Sequence, residues 1–590
     1  MTAPVDETLV EEARALHRAG DLAGAAAAYT GLLQAAPDDH DLNLGLGAVL
    51  CAMGRGGDAI VHLERCLRIR TDVAEVYFQR AAARVGLGRV TDAIADIGEG
   101  LKRAPGNAEA LITLIASLQK LGRYGDLLEP LERLAALRPE MKEIAGVRLE
   151  AAQALCDWDM VERLRTELEA PIRQGRVIVQ PQALLMTFDD PVLLRAGTEH
   201  YQRHYLRDVP EPPPPAYVAR CGRIRVAYVS ADFRNHATAN LISDLIARHD
   251  RTRFEIIGVS TGPDDGSYMR SWLIRKFDRF LDATGKHDRQ VADALRAMET
   301  DIAVDLNGHT RAGRPGLFKL RVAPVQVNFL GFPGTMAADF MDYLIADQVL
   351  VLDADQAHYS EHIVHLPDSY QPNSPMRPRP PPPARGAVQL PEKGFVFCSF
   401  NQHIKITRPV FGIWMELLAQ VPGSVLWLLK DTADAPLRAA AQGCGIDPAR
   451  LVFAPKMGLH EHLARIGLAD LALDTAPCNG HTTTSDALWM GVPVVTVAGR
   501  AFAGRVSASL LSACALPQLV APSLEAYRDL ALGLARDPHR LGALRRHLSD
   551  KRASLPLFDA ERFCRNIEKA YTVMAKNARR YRAPAGFQVG

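Results

Sequence analysis

Apolar residues in the first 140 positions recur at helical spacing, and glycine punctuates them at a fixed interval. Gly20, Gly54, Gly88 and Gly122 stand 34 residues apart, each closing one helical pattern just before the next. Five residues after the first three come Ala25, Ala59 and Ala93, small enough for paired helices to approach closely. Seventeen residues after a glycine stand Pro37, Pro105 and Pro139, which stop the second helix of a pair. Leu127 and Thr71 are the departures.

An interval of 34 is the tetratricopeptide period. Residues 1–144 are therefore predicted to be an all-α superhelix of stacked helix pairs, with an extended concave surface suited to polypeptides. Residues 145–208 continue as weaker helical repeats, including Leu155-Cys156-Asp157-Trp158, and are predicted to cap or adapt the array. With the stiff proline linker at 210–215 they make a segment 145–222.

Beyond that linker the pattern changes to short continuous apolar runs separated by helical stretches. The runs are 225–230, 254–260, 301–306, 325–330 and 343–346, then, after a second proline tract at 375–383, 395–400, 424–429, 451–454, 468–473, 492–497 and 518–521. Continuous apolar runs alternating with helices predict parallel sheets covered on both faces. Two α/β Rossmann-like lobes follow, at 223–372 and 391–590, joined by a proline-rich linker at 373–390.

Ligands of open parallel sheets bind beyond the carboxyl ends of the strands, and the residues following these runs are of one chemical kind. They include Asp232-Phe233-Arg234-Asn235-His236, Asn307-Gly308-His309-Thr310, Leu330-Gly331-Phe332-Pro333-Gly334-Thr335 and Asn401-Gln402-His403-Ile404-Lys405. Asp474 leads into Cys478-Asn479-Gly480-His481-Thr482-Thr483-Thr484, a strand, turn and helix start whose free N–H groups and hydroxyls suit a phosphate. A plain helix cap at Asn479 or Thr482 would explain the same residues. The rim as a whole suits a ligand made of a sugar, a diphosphate and a base.

Composition narrows the partners. Of 590 residues, 69 are Lys or Arg and 68 Asp or Glu, a net charge of +1, so no overall field draws nucleic acid or an anionic membrane. Nine cysteines without a C-x-x-C pair argue against a disulfide framework and a zinc site, and fit a reducing cytoplasm. Met1–Val10 is acidic and lacks an apolar core, and no apolar stretch of about 18 residues occurs, so neither secretion nor membrane spanning is expected.

The chain resembles the O-linked N-acetylglucosamine transferase family, in which tetratricopeptide repeats precede a two-lobed GT-B glycosyltransferase. The resemblance rests on Arg225–Phe233 with His236, Leu330–Thr335, Phe400-Asn401-Gln402 with Lys405, and Leu473-Asp474-Thr475 with Cys478–Thr483. The animal members carry a large insertion between the lobes, where this chain has its proline tract. The resemblance implies UDP-GlcNAc as donor, serine or threonine hydroxyls of polypeptides as acceptors, inversion at the anomeric carbon, and no metal or other cofactor.

It also implies roles. Lys405 would stabilise charge on the departing diphosphate, and Thr482, Thr483 and Gln402 would contact the phosphates. His462 would pack on uracil, Arg465 would contact the base and Asp486 the ribose hydroxyls. Leu330, Gly331 and His481 would line the sugar pocket. His236 is open between general base, acceptor positioning and sugar binding, with a donor phosphate oxygen as the competing proton acceptor. Taken singly, a solvated lysine, a polar helix face and a structural histidine are the ordinary alternatives. Two departures stand out: Leu459 replaces a lysine expected near the ribose, and Ile404 replaces an aromatic residue beside Lys405. Asp353-Ala354-Asp355 resembles a metal motif of another glycosyltransferase fold and is expected to be loop. The rival functions are a UDP-glucose-dependent N-glucosyltransferase and a repeat scaffold whose lobes only bind nucleotide sugar.

Overall fold

The computed structural model describes residues 6–217 and 222–590. Outside them lie residues 1–5, which begin the acidic N-terminal stretch, and residues 218–221, which fall near the end of the predicted segment 145–222 and include Cys221. The chain forms two compact units, Met1–Ile144 and Ala145–Gly590.

In the first unit the glycine interval acts through the backbone. Gly20, Gly54, Gly88 and Gly122 have φ of +79°, +73°, +75° and +68°, a left-handed conformation in which a side chain is strained. The next N–H then turns back on the helix just ended: Asp21 N donates to Leu16 O, Arg55 N to Leu50 O, Arg89 N to Arg84 O and Arg123 N to Leu118 O, at 2.8–3.0 Å. Ala25, Ala59 and Ala93 are wholly buried where paired helices meet. Arg80 and Arg84 both pair with buried Asp96, at 2.6 and 2.7 Å.

The second unit holds two parallel sheets. Strands β1 (Ile224–Ser230), β2 (Phe254–Ser260), β3 (Arg279–Asp282), β4 (Ile302–Asp305), β5 (Val325–Asn328), β6 (Tyr343–Asp347) and β7 (His362–Leu366) build the first. Strands β8 (Val396–Ser399), β9 (Val425–Leu429), β10 (Leu451–Ala454), β11 (Leu471–Leu473), β12 (Val494–Val497) and β13 (Val520–Ala521) build the second. The last strand, β14 (Phe587–Gln588), returns to the first sheet, giving the orders β14-β7-β6-β5-β4-β1-β2-β3 and β10-β9-β8-β11-β12-β13. Each predicted apolar run overlaps a strand. The run at 468–473 becomes strand only from Leu471, because Leu468 N and Ala469 N still bond Arg465 O and Ile466 O at the end of the preceding helix.

Two expectations are corrected. The helices Ile144–Ala154, Trp158–Arg173, Pro181–Thr187 and Pro191–Tyr205 do not merely continue the repeat array. Leu149, Leu164 and Leu184 share a buried cluster with Ala227 and Val229 of β1 and with Cys478 and Ala501 of the second lobe. Trp158 Nε1 donates to Ile406 O at 2.9 Å, and the Asp189 carboxylate accepts from Arg500 N and Ala501 N. These helices strap the two lobes together.

The second lobe also does not run to residue 590. The helix Ala560–Arg579 packs on the helix Ala237–Arg248 and on β5 and β7 of the first lobe, and β14 pairs with β7. A buried chain of polar groups fixes that return: Glu568 accepts from His249 Nδ1 (3.0 Å) and Asp250 N (2.7 Å), and His249 Nε2 meets Tyr228 Oη at 2.9 Å. Asp353–His358 is a 3-10 helix. Among the described residues no helix is long and apolar enough to cross a membrane.

Candidate active site

The turn after β11 is organised by one buried carboxylate. Asp474 Oδ1 accepts from Gly480 N (2.7 Å) and Thr475 N (2.9 Å), and Oδ2 accepts from Thr496 Oγ1 (2.7 Å). Asn479 is clamped from both sides, its N–H donating to Ala503 O and its Nδ2 to Thr475 O, both at 2.9 Å. The chain therefore enters the helix Thr482–Trp489 at a fixed angle, with the N–H groups of its first turn left for an external acceptor.

Lys405 reaches this turn from β8. It ends the 3-10 turn His403–Lys405, which buried His403 anchors by bonding Leu429 O through Nε2 (2.8 Å) and accepting Ala433 N at Nδ1 (3.2 Å). The Lys405 ammonium donates to Asn479 O at 2.6 Å. Next to it, burial and then the lysine charge push the His481 imidazole well below its ordinary value, so His481 is neutral at pH 7. Its Nε2 is buried without a hydrogen-bond partner among the described residues, so the fold leaves a polar group there free for a ligand.

A cavity of about 260 Å³ opens between the lobes, lined by Asn235, His236 and Asn240 of the first and by Leu459, His462, Thr482 and Asp486 of the second. Arg377, from the interlobe segment, completes the wall. A larger cavity of about 420 Å³ lies where the strapping helices meet the second lobe, but its walls, including Trp158, Met186, Ile404 and Val410, are mainly apolar. Polar side chains such as Gln153, Glu162, Arg165, Asp189 and Arg408 also line it, but none of the predicted site residues does.

His462 and Arg465 work as a unit. Arg465 is buried, donates to Pro455 O at 2.6 Å, and places Nε and Nη2 at 3.1 and 2.9 Å from His462 Nδ1. Burial brings the arginine down to about 10 and the histidine to about 4, so the pair carries a single charge at pH 7. With Nδ1 accepting, His462 is neutral and its proton sits on Nε2. Phe400 lies against both, 5.2 Å from the imidazole and 5.1 Å from the guanidinium.

His236 caps the helix Ala237–Arg248 through its side chain: Nδ1 accepts from Thr238 N at 3.2 Å, and Asp232 Oδ2 lies 3.7 Å away. Burial lowers its pKa, opposed by Asp232. The neutral ring therefore carries its proton on Nε2 and offers a donor, since its only free base lone pair is already engaged by the helix.

The remaining predicted residues fall outside the cavity wall. Gln402 is exposed at the start of the Lys405 turn, and Thr483 Oγ1 donates to Asn401 Oδ1 at 2.8 Å. Leu330 (φ +71°) and Gly331 form a tight bend after β5, where the Gly331 N–H bonds Phe329 O at 2.8 Å. Sequence reasoning missed Arg377 and Asn240, and treated Asp474 only as the end of a strand. The pattern of strand ends pointed to Asp474. Nothing in it pointed to Arg377, which lies within the proline tract.

Two parallel-sheet lobes facing across a cleft, preceded in the chain by tetratricopeptide helices, define a GT-B type architecture. Glycosyl transferase family 41 matches residues 210–372 and 382–567, more than half of the chain, and a tetratricopeptide model matches 16–85. The chain belongs to glycosyl transferase family 41. A mutant of the Thermobaculum terrenum O-GlcNAc transferase is similar over 98% of both chains, with a TM-score of 0.62 and 27% identity. The Arabidopsis thaliana protein named "Probable UDP-N-acetylglucosamine--peptide N-acetylglucosaminyltransferase SEC" is 33% identical over 453 residues, 72% of this chain and 46% of its own. The Caenorhabditis elegans "UDP-N-acetylglucosamine--peptide N-acetylglucosaminyltransferase" is 28% identical over 461 residues, 59% of this chain and 40% of its own. The chain spans less than half the length of these two relatives.

Proposed function

We propose that this chain transfers N-acetylglucosamine from UDP-GlcNAc to serine or threonine hydroxyls of polypeptides, with inversion and without a metal ion. The observation that carries the reading is the convergence on one turn of the Lys405 ammonium, the start of the helix Thr482–Trp489 and the unpartnered Nε2 of His481. Charge developing on a leaving diphosphate is met there by one cation and oriented N–H dipoles, which gain strength in a partly dry cleft. The names of the similar proteins support the sugar and the acceptor class.

In this proposal uracil rests against the His462–Arg465 pair, ribose faces Asp486, and the diphosphate lies along Thr482 and Thr483 toward Lys405, with Gln402 swinging in from solvent. Leu330 and Gly331 shape the sugar side. His236 binds through its Nε2–H rather than acting as base, because proton uptake at Nδ1 would break its helix cap, and a phosphate oxygen of the donor takes the hydroxyl proton. The tetratricopeptide unit supplies a binding surface for the acceptor polypeptide.

The test is a donor panel of UDP-GlcNAc, UDP-glucose, UDP-GalNAc and GDP-fucose with a peptide pool, read by intact mass, with Lys405→Ala as control. Expected is the mass of one N-acetylhexosamine on serine or threonine, lost in the variant. Transfer of a hexose to asparagine, or equal turnover by the variant, overturns the reading.

A further inference from the structure

Among the described residues, Arg377 is the only lysine or arginine in the wall of the interlobe cavity. It comes from the segment that connects the lobes, yet its side chain is inserted into the second. One Nη donates to Asp486 Oδ1 and the other to Asn373 Oδ1 at 3.2 Å. The guanidinium also lies 6.0 Å from the Trp489 ring centre. Arg377 and Asp486 side chains are each 6% exposed. Arg377 Nε is buried without a partner among the described residues.

A buried guanidinium with a spare N–H, in a polar cavity, is unfinished as structure. Its charge is already matched by Asp486, so the pair attracts no further phosphate by net charge. What the pair offers is a donor beside an acceptor. Asp486 lies one helical turn beyond Thr482 on the same face, and both line the cavity. A group bound with its phosphate at the helix start therefore presents its next portion to Arg377 and Asp486. In a nucleoside diphosphate that portion is the ribose, whose vicinal hydroxyls can donate with one oxygen and accept with the other.

We infer that Arg377 and Asp486 form a donor–acceptor dyad that recognises the ribose diol of the nucleotide, with Arg377 donating to one hydroxyl oxygen while Asp486 accepts from its neighbour. This rests on the nucleotide-sugar reading of the cavity and adds to it a residue from the interlobe segment. Nucleotide occupancy is thereby tied to the position of that segment.

The test is calorimetric titration of the full chain with UDP, 2′-deoxy-UDP and 3′-deoxy-UDP, for wild type, Arg377→Gln and Arg377→Lys, with melting curves of each. Expected for wild type is a preference for UDP of about 10-fold or more over at least one deoxy analogue. In Arg377→Gln that preference falls to within about three-fold while the affinity for the same analogue changes little. Arg377→Lys keeps the charge opposite Asp486 but not the planar fork, so it loses the preference while melting closer to wild type. It keeps the inference testable should the glutamine variant not fold. Equal loss of affinity for all three nucleotides in both variants overturns the inference and leaves Arg377 as a brace for Asp486. Wild type that binds UDP without discriminating against either analogue also overturns it. Folded wild type that binds none of the three overturns the nucleotide reading itself, and the inference with it.

Discussion

The ammonium of Lys405 and the carbonyl oxygen of Asn479 are 2.6 Å apart, which joins the turn after β8 to the turn after β11. Losing one hydrogen bond to the buried Asn479 carbonyl costs the fold about 1 to 3 kcal/mol, whereas a cation facing a developing phosphate charge is worth about 2 to 4 kcal/mol of barrier. Lys405→Ala is accordingly expected to melt within a few degrees of wild type while kcat falls by roughly 100-fold or more. Single-turnover rates beside a melting curve check this, and a proportional loss of both would reassign Lys405 to structure.

The two nitrogens of His236 have different duties, and this sets its pH behaviour. Burial holds the folded pKa below the ordinary imidazole value, so between the folded pKa and about 6.5 the unfolded chain binds the proton that the folded chain does not. Stability and donor binding should both decline as pH falls through this window and be flat above it. His236→Asn keeps a good helix cap and a donor, so it should retain substantial turnover, within about 10-fold of wild type. A general base would lose roughly 100-fold or more. The pH profile of kcat/KM for both proteins decides between them.

What the sequence made visible follows from where its signals are local. β1, β2 and β10 announce themselves because nearly all their residues are buried, so apolar residues run with few interruptions, Arg225 and Glu255 among them. β3 is Arg279-Phe280-Leu281-Asp282, partly exposed throughout at the edge of its sheet, and β7 carries a histidine at positions 362 and 365. Neither run is apolar enough to stand out. The turn at 478–484 was legible because strand, glycine turn and helix start are consecutive. Arg377 was not, because its meaning comes from Asp486, more than a hundred residues away. Helix Ala560–Arg579 shows its apolar stripe in the sequence, but periodicity does not say which lobe covers it.

Gly331 and Gly334 lie in one bend after β5 and separate backbone crowding from turn preference. A Cβ at Gly331 would come 1.9 Å from Leu306 O, whereas at Gly334 its nearest neighbour is Phe332 at 3.4 Å. Gly331→Ala must shift one of two strand-end loops that frame the cleft, at a cost of about 3 kcal/mol or more. Gly334→Ala should stay within about 1 kcal/mol. Urea unfolding of the two variants measures the contrast, and similar midpoints would remove the steric argument for that bend.

Glu568 makes a remote prediction that tests the corrected lobe boundary. Burial pushes its carboxyl up, but the hydrogen bonds from His249 and Asp250 N outweigh it and leave the pKa below the ordinary value. His249 is also lowered, chiefly by burial. Both groups lose stability on acidification: His249 as pH falls below about 6.5, Glu568 as pH falls from about 4.5 through its folded value. Replacing Glu568 by alanine strands the donors on His249 and Asp250, which costs roughly 3 kcal/mol. The loosened element is the helix Ala560–Arg579 on the first lobe. His249 caps the far end of the twelve-residue helix that His236 begins, about 18 Å away along its axis. Glu568→Ala should therefore melt several degrees lower while the variant, kept well below that temperature, binds UDP within about two-fold of wild type. An unchanged melting point would mean that the C-terminal helix does not hold the first lobe together. A UDP affinity that fell with the melting point would instead show that the helix shapes the cavity directly.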